Sequence, residues 1–178
     1  GPIIRTGGAL DLAVAGNGFF QVQGPAGGIF FSRAGHFRLD GLGRIVDPGG
    51  NPIDPPLTVP PGAQKLQVTT AGRVSAAMPD GTILNLGQIQ LAQFTNPGGL
   101  AHEGDNLLSP TAGSGPPVPG IPGEASFGAI IPGAVEGSNV DLATEMVEQI
   151  VDQRAFEANL KPIQAADEML GALLDIKQ

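Results

Sequence analysis

The sequence predicts a mainly β protein, a turn-rich all-β domain of sandwich or barrel-like build followed by a long C-terminal amphipathic α-helix. Three observations predict it. Gly and Pro, 28 and 17 of 178 residues, punctuate the first three quarters of the chain at short intervals, as tight turns between strands require. Between them apolar and polar residues alternate with the period of two of a half-buried strand. Beyond Ser138 the turn residues thin out and apolar residues recur at three- and four-residue spacing, the period of a helix. An apolar share of 41% sets the chain apart from a disordered Gly/Pro-rich one, which lacks the apolar surface to offset chain entropy.

The elements follow in order. Ala9 to Ala15 alternates Leu10, Leu12 and Val14 with Asp11 and Ala13, Gly16-Asn17-Gly18 reads as a tight turn, and Phe19 to Gln23 as the returning strand. Leu10 to Gln23 is therefore expected to be a hairpin. Further strands are expected at Ile29 to Arg33, His36 to Asp40, Arg44 to Asp47, Leu57 to Val59, Lys65 to Thr69, Arg73 to Ala76 and Thr82 to Phe94. Turns separate them at Gly41-Leu42-Gly43, Asp47 to Pro52, Pro60-Pro61-Gly62, Ala71-Gly72 and Pro79-Asp80-Gly81. Residues 109–123 hold a Pro/Gly-rich run whose glycines at 115, 120 and 123 break the collagen triplet, so an extended, polyproline-like connector is expected. A short strand from Ser126 to Ile131 closes the β domain, bounded at 3–135.

The helix is bounded at 138–177. Ser138 and Asp141 resemble a capping box, and Asp141 and Glu145 suit the positive end of a helix dipole. Val140, Ala143, Val147 and Ile150 form one apolar series and Phe156, Leu160, Ile163, Leu170 and Leu174 a second. The six residues from Ile150 to Phe156 put the two out of step, as in a discontinuous coiled coil. Pro162 removes a backbone donor, so a kink or break is expected near Leu160. The segment from Ser138 to Gln178 carries 8 acidic and 3 basic residues. At 1.5 Å per residue such a helix exceeds about 50 Å, longer than a domain with a radius of gyration of about 16 Å is wide. An apolar seam of that length is expected to meet a partner helix rather than fold back on its own domain.

Composition removes several functions. With Lys+Arg 9 against Asp+Glu 17 and a net charge of -8, the basic footprint of a nucleic-acid binder is absent. The aromatic residues are all Phe, which leaves no Trp or Tyr to stack on bases or sugars. The sequence has no Cys, so thiolate chemistry, disulfides and thiolate zinc sites are excluded. No stretch approaches the roughly 20 apolar residues of a membrane span. The opening Gly1-Pro2-Ile3-Ile4-Arg5 has no signal-peptide pattern. With no initiator Met it reads as a protease scar, so the chain is expected to be a fragment.

Catalytic motifs are equally sparse. His102-Glu103 opens like a zincin helix, but Asn106 stands where the second ligand is needed. His36 is too distant in sequence to make a motif with it. Gly113-Ser114-Gly115 lacks the spacing of a nucleophile elbow. Gly16-x-Gly18 reaches Gln21 where a dinucleotide loop needs Gly. Asp40 and Asp47 offer a glycosidase-like carboxylate pair, the plainer reading being solvated turn residues. No catalytic residue, metal site, cofactor or small-molecule substrate is expected. On the residues alone, an assembly module, a secreted β-rich adhesin or carbohydrate-binding module, and a hydrolase built on scattered carboxylates all stay open.

The run from Thr6 to Val22, with Gly16-Asn17-Gly18-Phe19-Phe20 at its centre, resembles the opening of the central region of bacterial flagellar rod and hook proteins. Phe31-Ser32-Arg33-Ala34-Gly35-His36-Phe37, with Asp40 and Gly43, is similar to that family's next block. The run Gly87 to Leu100 is closest to its distal-rod members rather than its proximal-rod or hook members. Glu136 to Asp141, Glu145-Met146-Val147, Gln153 to Glu157 and Ala166 to Leu170 resemble the family's C-terminal signature.

The resemblance implies a structural subunit of the basal-body rod, exported by the flagellar secretion apparatus and assembled helically into the drive shaft that passes torque to the hook. Its partners would be copies of itself and neighbouring rod and hook proteins. The C-terminal helix would pack against an N-terminal helix, which this chain is expected to lack. Val140, Met146, Val147, Ile150, Phe156, Leu160, Ile163, Leu170 and Leu174 would then be assembly-interface residues, with the β domain outside them.

Overall fold

The computed structural model describes residues 1–24, 27–137 and 142–175. By its contacts the chain forms two units, Gly1–Gly137 and Ser138–Gln178.

The first unit is built from short strands: β1 (Ile3–Arg5), β2 (Leu12–Ala15), β3 (Phe19–Gln23), β4 (Ile29–Ser32), β5 (Arg38–Leu39), β6 (Ile45–Val46), β7 (Lys65–Val68), β8 (Arg73–Ala77), β9 (Ile83–Gln88), β10 (Leu91–Gln93), β11 (Ala101–Gly104), β12 (Leu107–Ser109), β13 (Val118–Gly120), β14 (Ala129–Pro132) and β15 (Ala134–Glu136). Their largest sheet is six-stranded, in the order β11-β12-β4-β3-β10-β13. A meander β7-β8-β9 forms a second sheet, and β5–β6, β14–β2 and β1–β15 pair in twos. Every ladder is antiparallel, and none of these described sheets closes into a barrel.

Register explains why β3 anchors the fold. Phe20 and Val22 point to one face and Phe19 and Gln21 to the other, as the two-residue period of a strand dictates. Leu91 lies opposite Phe20, and the three apolar side chains join Leu12, Val14, Phe37, Ile45, Ile53, Val74, Ile89 and Ile130 in the main core. On the opposite face Phe31 stands across from Gln21 and Ala92 across from Phe19, and these pack with Phe94 and Leu100 in a second cluster. The centre of the sheet is thus covered on both faces. Phe20–Phe37 and Phe31–Phe94 meet edge to face at centroid distances of 5.1 and 4.8 Å, each adding about 0.5–1.5 kcal/mol beyond burial. A buried Phe or Leu contributes about 1.5–3 kcal/mol, so the buried Phe20, Phe31, Phe37 and Phe94 carry much of a core in a chain with no Trp or Tyr.

The structure corrects several expectations. Leu10 to Gln23 is not a hairpin: β2 pairs with β14, and β3 with β4 and β10. Gly16 and Gly18, at φ of 118° and 136°, turn the chain from one sheet into the other; these are angles that L side chains rarely adopt. Thr82 to Phe94 is two strands, separated where Ile89 leaves the meander and donates its N–H to Gly72 O at 2.8 Å. Leu57 to Val59 makes only an isolated bridge, between Thr58 and Arg44. The last expected strand lies three residues later than its predicted start, at β14.

The Pro/Gly-rich run 109–123 is not an extended connector. Thr111 to Ser114 closes a turn in which the buried Ser114 hydroxyl donates to the carbonyls of Thr111 and Gly115, both at 3.0 Å. Val118–Gly120 then lies along β10 as the sheet's edge strand, a place where Pro119 is tolerated because an edge leaves one set of ladder groups free.

In the second unit α1 (Leu142–Asp175) is a single helix. It runs through Pro162 without the expected break. Lys161 and Pro162 are exposed, so water can satisfy the Ala158 carbonyl that Pro162 leaves without a donor.

Candidate functional site

The ends of the β unit meet. β1 and β15 pair antiparallel with Ile3 opposite Glu136, Ile4 opposite Val135 and Arg5 opposite Ala134. Gly137 N donates to Pro2 O at 2.8 Å, and the Gly1 amine contacts Glu136 Oε1 at 2.7 Å. The chain therefore enters and leaves this unit on adjacent strands, and β15 is its last strand before α1.

Arg33 ties this ribbon to the corner after β2. Its Nη1 donates to the carbonyls of Gly16 and Gly18 at 2.8 and 2.6 Å, and its Nη2 to Val14 O at 3.3 Å. Nε donates to Glu136 Oε2 at 2.9 Å, and the guanidinium lies 5.8 Å from the Phe19 ring centroid. Only a planar fork with several donors can serve three carbonyls and a carboxylate together. Burial pushes the Glu136 carboxyl up, but the amine hydrogen bond and the charges of Arg33 and the amine outweigh it and hold the group below its ordinary value.

On α1, Met146, Val147, Ile150 and Phe156 are exposed and Leu160 is half-buried. Val151, which the periodicity reading passed over, is exposed as well. At about 100° per residue, Met146, Val147, Ile150 and Val151 share one face. Phe156 and Leu160 lie about a third of a turn away. The two directions partly cancel, and the helix as a whole is only weakly amphipathic. Val140 lies outside the described residues. Ile163, Leu170 and Leu174 are on the helix backbone, and their side chains are outside what is described.

The residues weighed for chemistry sit apart and are engaged locally. His102 and Glu103 are on a strand, β11, and Glu103 accepts from Ser109 Oγ at 2.6 Å. His36 Nδ1 meets Asp11 Oδ1 at 3.1 Å on the surface. Asp40 accepts from Leu42 N, Arg44 N and Arg44 Nε at 2.8–2.9 Å. The backbone hydrogen bond from Arg44, against desolvation and with help from the Arg44 side chain and Leu42 N, lowers its pKa. Asp47 accepts from Asn51 N and Nδ2 and is buried, which corrects the reading of it as solvated. Among the described residues no three His, Cys, Asp or Glu side chains gather to hold a metal, and no helix is long and apolar enough to cross a membrane.

Comparison with known proteins finds matches in both units of the chain. Residues 13–76 match the flagellar hook protein FlgE/F/G D1 domain, and residues 131–176 match the flagellar basal body rod FlgEFG protein C-terminal region. The flagellar basal-body rod protein FlgG of Agrobacterium fabrum is 41% identical over 95% of this chain and 65% of its own length. FlgG of Buchnera aphidicola from Schizaphis graminum is 40% identical over 97% of the chain and 67% of its own length. The Escherichia coli flagellar hook protein FlgE is 46% identical over 52% of the chain and 23% of its own length. The chain thus spans about two thirds of the length of the rod proteins it matches, slightly less for the Agrobacterium one. On matched segments that run from β2 to α1, and on identity sustained along nearly the whole chain, it belongs to the family of flagellar rod and hook proteins.

Proposed function

We propose that the chain is a structural subunit of the flagellar basal-body rod, in its distal part, exported by the flagellar secretion apparatus and assembled helically into the shaft that carries torque to the hook. Its work is mechanical, with no catalytic step, cofactor or small-molecule substrate, and its partners are copies of itself and neighbouring rod and hook proteins. Residues 3–135 form the outer unit, and residues 138–177 supply the helix for core packing through Val140, Met146, Val147, Ile150, Phe156, Leu160, Ile163, Leu170 and Leu174.

The observation that carries the reading is the exposure of Met146, Val147, Ile150, Val151 and Phe156 on the long helix that comes after β15 in the sequence. Exposed apolar residues repeated along a long helix are what helix–helix association needs. A shaft needs such contacts to be heterologous, so that addition of subunits never closes. The relatives matched along most of the chain, named as basal-body rod proteins, support the rod over the hook, whose protein matches about half of it.

The test is negative-stain electron microscopy of the concentrated full-length gene product beside Ile150→Glu and Phe156→Glu. Straight rods from the parent and none from either variant, with unchanged β circular dichroism, support the reading. Rods that survive both charges would overturn the interface assignment. Absence of polymer from the parent, even when it is seeded on isolated basal bodies, would overturn self-assembly.

A further inference from the structure

We infer that Arg33 is the joint that couples the β1–β15 ribbon to the β2–β3 corner, so that load on the ends of the β unit passes into its central sheet. The inference rests on the rod reading for its purpose, though its geometry stands by itself.

The ribbon is slight. It has three residue pairs, and Ile3 and Ile4 are 42% and 53% exposed. Ala134 and Val135 seat β15 in the core, but β1 buries no side chain of its own, so three ladder pairs are a weak attachment for that strand. Its inner end is closed by Thr6 N and Gly7 N, which donate to Gly133 O at 2.9 and 3.0 Å, and is bonded to the residue before β2 through Gly133 N, which donates to Asp11 O at 2.8 Å. Its outer end, at Glu136, has Arg33 and the Gly1 amine as its polar side-chain and terminal partners. Arg33 in turn follows β4, which lies beside β3 in the middle of the six-stranded sheet.

The guanidinium meets Glu136 on one side and the carbonyls of Val14, Gly16 and Gly18 on the other. Those carbonyls belong to the segment that carries the chain from the β2–β14 pair into the six-stranded sheet. One side chain thus spans both sheets and the ribbon. A rigid fork with charge-assisted bonds holds such a junction in one geometry, as a flexible ammonium cannot.

The distinguishing consequence is local and directional. In native-state hydrogen exchange at neutral pH, Arg33→Gln is expected to speed exchange at least tenfold both in residues 3–5 and 134–137 and in the corner 14–18, relative to the buried strands β3 and β8. Glu136→Gln leaves the carbonyl bonds in place. It is expected to loosen the ribbon and spare the corner. Both variants are compared with Gly1 acetylated, so that the amine cannot substitute for Arg33. Uniform acceleration across the unit would make Arg33 an ordinary stabilising residue and overturn the inference, as would a loosened corner beside an unchanged ribbon. The measurement uses monomer and does not depend on polymerisation, so this inference and the rod reading fail separately.

Discussion

Gly35 shows how tightly single residues bind this fold. A Cβ there would fall on the Leu12 carbonyl oxygen and press the Phe20 ring, while the Gly35 carbonyl already accepts from Leu12 N at 2.8 Å. Nothing in that contact is a flexible side chain that can move aside. Gly35→Ala must part β2 from the segment leading to Phe37, and is expected to cost about 3 kcal/mol or more, read as a lowered urea midpoint with an unchanged slope.

Glu136 gives the pH dependence. Its folded pKa lies below the ordinary 4.5, so its pairing contributes stability that is fully present above about that pH and lost as pH falls through the lowered folded value. Asp40 and Asp80 are also lowered, mainly by backbone hydrogen bonds, and add acid-side dependence of the same sign. The contribution of Glu136 is therefore isolated by difference. The stability gap between the parent and Glu136→Gln should be constant from pH 7 to about 5 and vanish below the folded pKa.

At the scale of elements, the sequence was most readable where one residue type decides the local geometry. Asp-Gly and Pro-Gly turns placed β5, β6, β7 and β8 closely, because positive φ and fixed proline φ leave few alternatives. It was least readable where pairing is non-local. Gly16-Asn17-Gly18 has the chemistry of a hairpin turn, yet β2 finds its partner more than a hundred residues on, in β14. Local periodicity is blind to such a choice. The edge strand β13 was hidden by its prolines, and β1, β11, β12 and β15 by their brevity.

The helix was legible as a helix and as two apolar series, and Val151 was missed because it sits between them. Arg33 was visible only as part of a family block, since its partners lie 15 to 103 positions away. Pro162 belongs to the same scale. Proline costs about 3 kcal/mol relative to alanine inside a helix, so Pro162→Ala should raise helicity beyond residue 158, measured by circular dichroism at 222 nm and by slowed amide exchange there.

At the scale of the whole molecule, every buried core residue of the described chain lies within Gly1–Gly137. The β unit should therefore keep its fold without α1. A chain ending at Gly137 is expected to melt cooperatively within a few degrees of the parent, followed by far-ultraviolet circular dichroism; broad, non-cooperative melting would show that the helix is needed for folding.

The β1–β15 ribbon has a further meaning for how such proteins diversify. A unit whose two ends sit on neighbouring strands has the topology of an insertion. It can be enlarged, shortened or exchanged for another fold while the separation of its attachment points stays fixed at one strand spacing, about 4.8 Å. On the rod reading proposed above, the outer part of a subunit becomes a free variable while the helical part stays the same.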